Sequence, residues 1–578
     1  MSLDVKPSGA PGSAATAAGG SPFPREWEIN RSTTWRDRGA RRRHKLPVAA
    51  TMLVLTAIAG GLLAGVEPLV GVAVLVAVPL VFVVVRRPDA VTVAVIALVY
   101  ANAPVILTRD GGNPLVGSLV PMALVIPLVH RLLLKGEPLS LPRVFPLLLL
   151  YGATQLSSAL AADDFEASLL DVSGFVVEGL ALFVLVTGNI TSTLVLRRVL
   201  WAVVLSGAFL GLLSLVQQVT GTFSFDYFGF AQVSDSVIET TGSVGVTTNT
   251  DGDVGLARLA GPIGEKNRYA QILVVLVPIA LGLAPGASRR GKVVLGACIV
   301  FLSAGMILTY SRGAVVGLVV AIAVAGALRL VPWKAIVALL VAGSLALAVL
   351  PTYRERVVSL TKVTTGGQAV DGQSADGSIA GRMTENLAAL LAFRENVVFG
   401  VGPGAYPEKY VYYAQRVGGR PRLEARESHN LYLGTAAELG LPGITALLAI
   451  LAMLLAGLWR TRRIGRAVPE GATDPESVEA RDRVPLAMGL FVALVTYMVT
   501  GFFLHLSYQR YFWLLVALCA VAAPVQRVLR PGLRTSSSGT DDVSSGFQAR
   551  ADDGDTTADA PFAASRPVPT PPGPFAAR

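Results

Sequence analysis

VLWAVVLSGAFLGLLSLV, residues 199–216, runs for 18 positions without a charge, and Arg197 and Arg198 stand just before it. A helix rises about 1.5 Å per residue and the hydrocarbon of a bilayer is about 30 Å thick, so about 20 such residues cross it. The run is too long for an ordinary strand, and the paired arginines mark a cytoplasmic edge. The same pattern recurs along the 578-residue chain, of which 52% is hydrophobic and only 15% charged. Spans are expected near 47–66, 68–85, 91–107, 115–134, 144–162, 169–190, 196–220, 269–286, 291–309, 313–329, 333–350, 430–458, 485–506 and 510–528. The expected fold is an all-α polytopic membrane domain over 46–534, with about fourteen (12–14) transmembrane helices.

The charge confirms the pattern. Lys+Arg exceed Asp+Glu by 49 − 39 = 10, and the excess sits in short loops beside spans, which excludes a nucleic-acid partner. Arg86, Arg87, Arg131, Lys135, Arg143, Arg197, Arg198, Arg289, Arg290 and Lys292 share one side with Arg329, Lys334, Arg460, Arg462, Arg463, Arg466, Arg527, Arg530 and Arg534. The positive-inside rule makes that side cytoplasmic and puts both termini there. The opposite loops are neutral or acidic, as at Glu67, Asp163, Asp164 and Glu166. Residues 1–45 and 535–578 are rich in small and polar residues and read as disordered cytoplasmic tails. Cys298 and Cys519 lie inside apolar stretches and read as small core thiols, with no disulfide framework or zinc site.

Two external loops are long, 221–268 and 351–429, and a very short one holds Tyr310, Ser311, Arg312 and Gly313. Polar groups therefore gather at the outer surface, whereas a transporter usually keeps them near the midplane. Arg312 is either a snorkelling interfacial arginine or an anion-binding group. After Arg382, apolar residues at Met383, Leu387, Leu390, Leu391 and Val397 keep roughly helical spacing, which predicts an amphipathic helix on the membrane surface. Of four histidines, His44, His130, His429 and His505, only His429 joins the outer side, a loop-to-span boundary and adjacent polar residues. It is either a capping imidazole or a base, and an unperturbed pKa near 6.5 suits the second role.

Other motifs read as structural. Gly400, Gly402 and Gly404 follow no buried strand and predict a tight turn rather than a nucleotide loop. Asn249, Asp251 and Asp253 match a calcium loop only in part. Asp171 and Glu178, two turns apart on one helix, are expected to pair in a buried setting with an arginine or polar backbone. No ligand-like cluster appears outside the membrane, so neither metal nor cofactor is expected.

Several segments together resemble the O-antigen ligase and Wzy-type polymerase family of bacterial glycan assembly. They are Arg258, Leu259, Ala260, Gly261 and Pro262 with Asn267 and Ala270; Thr309 through Ala314; Gly381 and Arg382; Phe399 through Tyr406; and His429 through Leu433 with Glu438, Gly440 and Gly443. The likeness covers about 255–450. Two departures are the charged Lys266, Asn267, Arg268 triplet and the absence of a tryptophan after Arg382. The resemblance implies a multi-pass enzyme of the bacterial cytoplasmic membrane that transfers a glycan from a polyprenyl (undecaprenyl-type) diphosphate donor to a sugar hydroxyl outside. The acceptor is another lipid-linked glycan in a polymerase, or a lipid core, cell-wall polymer or protein in a ligase. It implies catalytic roles for His429, Arg312 and Arg382, and substrate binding by Arg258, Asn267, Arg268, Tyr406 and Asn430, without metal or nucleotide. The contrasting reading is a transporter of polysaccharide or lipid-linked glycan, which predicts internal repeats and a two-gated midplane site.

Overall fold

A computed structural model describes residues 87–111, 120–233, 246–248, 254–256, 258–331, 334, 375–418, 424–504 and 509–523. In chain order the helices are α1 Pro88–Tyr100, α2 Ala103–Gly111, α3 Val125–Val129, α4 Phe145–Ala161, α5 Phe165–Gly174, α6 Leu182–Asn189 and α7 Thr193–Thr220. They continue with α8 Lys266–Leu283, α9 Arg289–Leu308, α10 Arg312–Ala327, α11 Ala375–Glu395, α12 Tyr406–Val417, α13 Leu431–Ala467, α14 Pro475–Thr500 and α15 Gln509–Ala522. Two small antiparallel pairs interrupt them between α7 and α8: Gln232–Val233 with Leu259–Gly261, and Val246–Thr248 with Val254–Leu256.

The fold is helical as expected, but fewer full-length spans are shown than fourteen. Among the described residues six helices are long and apolar enough to cross a membrane: Phe165–Asn189, α7, α8 with its last turn to Gly286, α9, α13 and α14. A seventh arises if α1 and α2, bent by 61°, count as one span. Shorter apolar helices stand at Val120–Leu134, Phe145–Ala161, Arg312–Ala327 and Arg510–Ala522. The spans expected near 47–66 and 68–85 and most of 333–350 lie outside the described residues, as do both tails and Asn249, Asp251 and Asp253.

Helix α8 is the hub because it is apolar on every side, which only a central helix can be. Nearly every residue from Arg268 to Leu283 is buried, and it packs against α7, α9, α10 and α14. Small residues let the backbones approach, as is usual where lipid supplies no hydrophobic drive between helices. A Cβ on Gly489 would lie 2.9 Å from the Gly282 Cα and 2.8 Å from the Pro278 carbonyl. Cys298 and Cys519 are free and buried, as expected. Glu178 finds its arginine in Arg510, whose guanidinium also reaches Asn102 Oδ1 at 3.3 Å. Asp171 takes a different neighbour, with its carboxyl against Gly404.

Helix α13 is broken near its start. Gly440 has φ 66° and ψ −165°, and Pro442 follows. The loop 397–402 lies along the break: Leu441 N donates to Val397 O at 2.7 Å, Val401 N to Ala437 O at 2.9 Å and Gly402 N to Glu438 O at 3.1 Å. The glycine run is therefore the turn the sequence suggested, laid against a helix. Gly400 has φ 72°, and a Cβ there would sit 2.2 Å from the Glu438 carbonyl. Left-handed backbone alone costs a non-glycine residue about 1–2 kcal/mol, and this clash is with backbone that has nowhere to go. Gly400→Ala should lower the thermal melting temperature in detergent clearly; an unchanged melt would show that the loop is only loosely attached.

Candidate functional site

Helices α8, α10 and α13 begin, and α14 ends, at the same end of the bundle, and α11 and α12 cover it. Helix α11 buries a small face, Ala388, Ala389 and Ala392, against Tyr406, Tyr410 and Tyr413 of α12. Its other face exposes Met383 and Leu387, with Val397 exposed just beyond its end, whereas Leu390 is half-buried and Leu391 packs inward against the tyrosine cluster. An ion pair between Arg416 and Glu395 closes the far end of the two helices. Lys409 Nζ donates to Asp163 Oδ2 at 2.6 Å and holds that carboxyl below the usual carboxylate range.

A narrow crevice of about 10 Å³ lies where these elements meet, lined by Asn267 of α8, Ser311 and Gly313 at the start of α10, Arg382 of α11, and Thr500 and Phe503 at and just beyond the end of α14. Arg312 is the first residue of α10, between two lining residues, so about 70 residues of chain close to bring Arg382 against its turn. That turn is unusual. Tyr310 has φ 54°, a conformation non-glycine residues rarely adopt. Ser311 N donates to Thr309 Oγ1 at 3.2 Å, and Arg258 donates from Nε to Thr309 O at 3.2 Å and from Nη2 to Tyr310 O at 3.3 Å. Backbone held in a sparse region by its surroundings is common where a site must be preorganised.

Arg382 and Glu385 are three residues apart on α11, which puts their Cβ atoms about 5–6 Å apart on one face. Glu385 is buried, and its Oε2 lies 3.0 Å from His429 Nδ1. The same ring nitrogen is 3.1 Å from the Glu427 carbonyl, which is its aligned acceptor, and the Glu385 carboxyl stands beside the imidazole. A carbonyl only accepts, so Nδ1 carries a hydrogen, and in the neutral ring the lone pair then falls on Nε2. His429 itself has φ 47°, a second strained backbone position at this end of the bundle.

Eight residues are expected at the site from the sequence, and the structure uses them differently. Arg382 and Asn267 line the cleft, with Arg312 between two lining residues, and His429 contacts Glu385, one helical turn along α11 from Arg382. Arg258 grips the carbonyls of the Tyr310 turn. Asn267 is also tied to Glu265, its Nδ2 donating to Oε1 at 2.9 Å. Arg268 is buried, 3.9 Å from the Glu265 carboxylate. Tyr406 is buried, with its hydroxyl donating to Glu385 O at 2.7 Å, and burial raises its pKa far above normal, so it stays a donor. Asn430 caps α13, its Oδ1 accepting from Tyr432 N at 3.0 Å and Leu433 N at 3.1 Å. Glu385 is the residue the sequence reading missed. An acid one turn after Arg382 looks like a solvated helix charge until its neighbour 44 residues on is placed.

Among the described residues no three His, Cys, Asp or Glu side chains gather as a metal-holding group. Residues 297–448 (152 of 578) match the family model described as O-antigen ligase. The matched stretch holds Arg312, Arg382, Tyr406, His429 and Asn430, while Arg258, Asn267 and Arg268 precede it. A search among curated proteins finds no match to the chain.

Proposed function

We propose, from the match of residues 297–448 to the O-antigen ligase family model, that this chain is a multi-pass bacterial membrane glycosyltransferase using a polyprenyl-diphosphate-linked glycan. The observation that carries the reading is the cleft itself. It joins Arg382 to the turn bearing Arg312, and His429 contacts Glu385, one helical turn along α11 from Arg382. The cleft lies at an end of the bundle, not at mid-span, which favours an enzyme over a two-gated transporter.

In this reading the donor's diphosphate sits against Arg312 and Arg382. Arginine stays charged, and its planar fork matches phosphate oxygens in pairs. As the acceptor hydroxyl attacks the anomeric carbon, His429 Nε2 takes its proton, and the bond to the diphosphate oxygen breaks. The leaving diphosphate gains negative charge that the arginines stabilise most in the transition state. Glu385 stabilises the imidazolium as it forms, the service a carboxylate gives other paired histidines. Direct displacement inverts the anomeric configuration. Arg258 and Tyr406 act behind the site, one fixing the turn under Arg312 and the other fixing the backbone of Glu385.

The test is transfer by the purified full chain from a synthetic lipid-diphosphate glycan to a glycan acceptor. An inverted product linkage is expected, and a retained one would refute direct displacement. Turnover should persist in excess chelator, since arginines supply the charge. Loss that one specific divalent metal restores would overturn that assignment.

A further inference from the structure

A second cavity, larger than the glycan cleft, lies elsewhere among the described residues. It opens at the opposite end of the bundle, where Arg460 of α13 and Arg483 of α14 meet Arg131 and Arg143 around the short stretch before α4. Seventeen helical steps run from Arg483 to Thr500 at the glycan cleft, about 26 Å of rise and close to the thickness of a bilayer's hydrocarbon. The charge pattern, which includes Arg131, Arg143 and Arg460, puts this end of the bundle on the cytoplasmic side. The cavity holds about 380 Å³, and its inner wall is apolar, with Leu454, Ala520 and Val521. Met453, exposed on the outer surface of α13, also lines it, so it is open sideways toward lipid.

Among the described residues the charge there is incompletely answered. Arg131 Nε pairs with Glu137 at 2.9 Å, and Arg483 Nη2 with Glu479 at 3.0 Å. Arg143 and Arg460 have neither an ion pair nor a hydrogen bond among the described residues. Four guanidinium groups against two carboxylates leave two positive charges facing one cavity, at the depth where phospholipid headgroups lie.

We propose that this cavity is a binding site for an anionic glycerophospholipid of the cytoplasmic leaflet. The phosphate would lie between Arg143 and Arg460, and the acyl chains would run along the Leu454 and Met453 wall and out through the lateral opening. A phosphate supplies the missing charge, and only a lipid also fills the apolar part. Basic pockets between spans on this side of a membrane are suited to such headgroups. The site is separate from the glycan cleft, so its test is independent of the reading given above.

The experiment is native mass spectrometry and thermal melting of the full chain with phosphatidylglycerol, phosphatidylcholine or inorganic phosphate added singly. Phosphatidylglycerol should be retained selectively and raise the melting temperature. Each arginine near an anionic headgroup is worth about five-fold in affinity, so Arg143→Gln with Arg460→Gln should weaken retention about thirty-fold. The double variant's melting temperature without lipid should be unchanged, and Arg143→Lys with Arg460→Lys should keep most of the retention. Equal retention of the two lipids, or retention unaffected by the glutamine pair, would overturn the proposal. Inorganic phosphate reproducing the full effect would assign the site to a soluble anion instead. Should the glutamine pair fail to fold, the lipid comparison on the unaltered protein and the lysine pair decide.

Discussion

Replacing His429 by alanine is expected to slow glycan transfer by about 10²–10⁴-fold, the usual contribution of a positioned base, while donor binding survives. The ring is committed through Nδ1 to the Glu427 carbonyl and flanked by Glu385, so its work lies in proton transfer rather than in holding the diphosphate. Steady-state kinetics alongside direct donor binding separate the two. Equal losses of affinity and rate would make His429 a binding residue, and a folded variant with full activity would remove it from the chemistry. Glu385→Gln keeps the shape of the neighbour and deletes its charge. Its effect is bounded by that of the base itself, and we expect a fall in kcat with KM for the donor unchanged, and partial recovery in Glu385→Asp. A fall in melting temperature with kcat unchanged in the folded fraction would mean that the carboxylate is structural only.

The second large effect is expected at the arginines. Arg312→Lys and Arg382→Lys keep the positive charge but lose the fork, and each should cost about 10²–10³-fold in turnover, the scale of losing one preorganised donor to a developing anion. Because the diphosphate is charged before and after the bond breaks, donor affinity should fall as well, by a smaller factor. The cleft makes the two substitutions interdependent, since Arg382 and the Arg312 turn line it together. The double variant should therefore lose less than the product of the single losses, as neighbours sharing one ligand do. Near-normal binding and turnover in both lysine variants would dissolve the shared anion site.

His429 and Arg312 stand out in the sequence because each is a polar group at the edge of an apolar run, whereas Arg382 lies within the long loop 351–429 and is singled out by the family resemblance. Physical chemistry demands a reason for such a group even when the fold is unknown. The helices could be placed the same way: Thr193–Thr220 and Lys266–Leu283 start within three residues of where hydropathy puts them. Side chains that serve the protein's own backbone were harder to sort. Asn430 ahead of an apolar helix has the form of an N-cap, and that local signal was available. Tyr406 gave none, because its acceptor is the carbonyl of Glu385 on another helix. Arg258 likewise spends its donors on carbonyls 51 and 52 residues away. Glu385 itself was hidden because the contact that gives it meaning exists only after α11 has folded over the start of α13. Long-range pairings of this kind leave no periodicity behind.

The break at Gly440 also bears on how the chain is made. A helix interrupted in an apolar setting leaves backbone groups that lipid cannot satisfy, and here the strand of loop at 397–402 satisfies them. That loop leaves the ribosome before α13 does, so the partner for the break already exists when the helix arrives. The order of synthesis and the order of dependence run the same way. A loop exchanged between related proteins would have to bring residues 397–402 and 437–441 as one unit, because a graft that cut between them would deliver a broken helix with nothing to mend it.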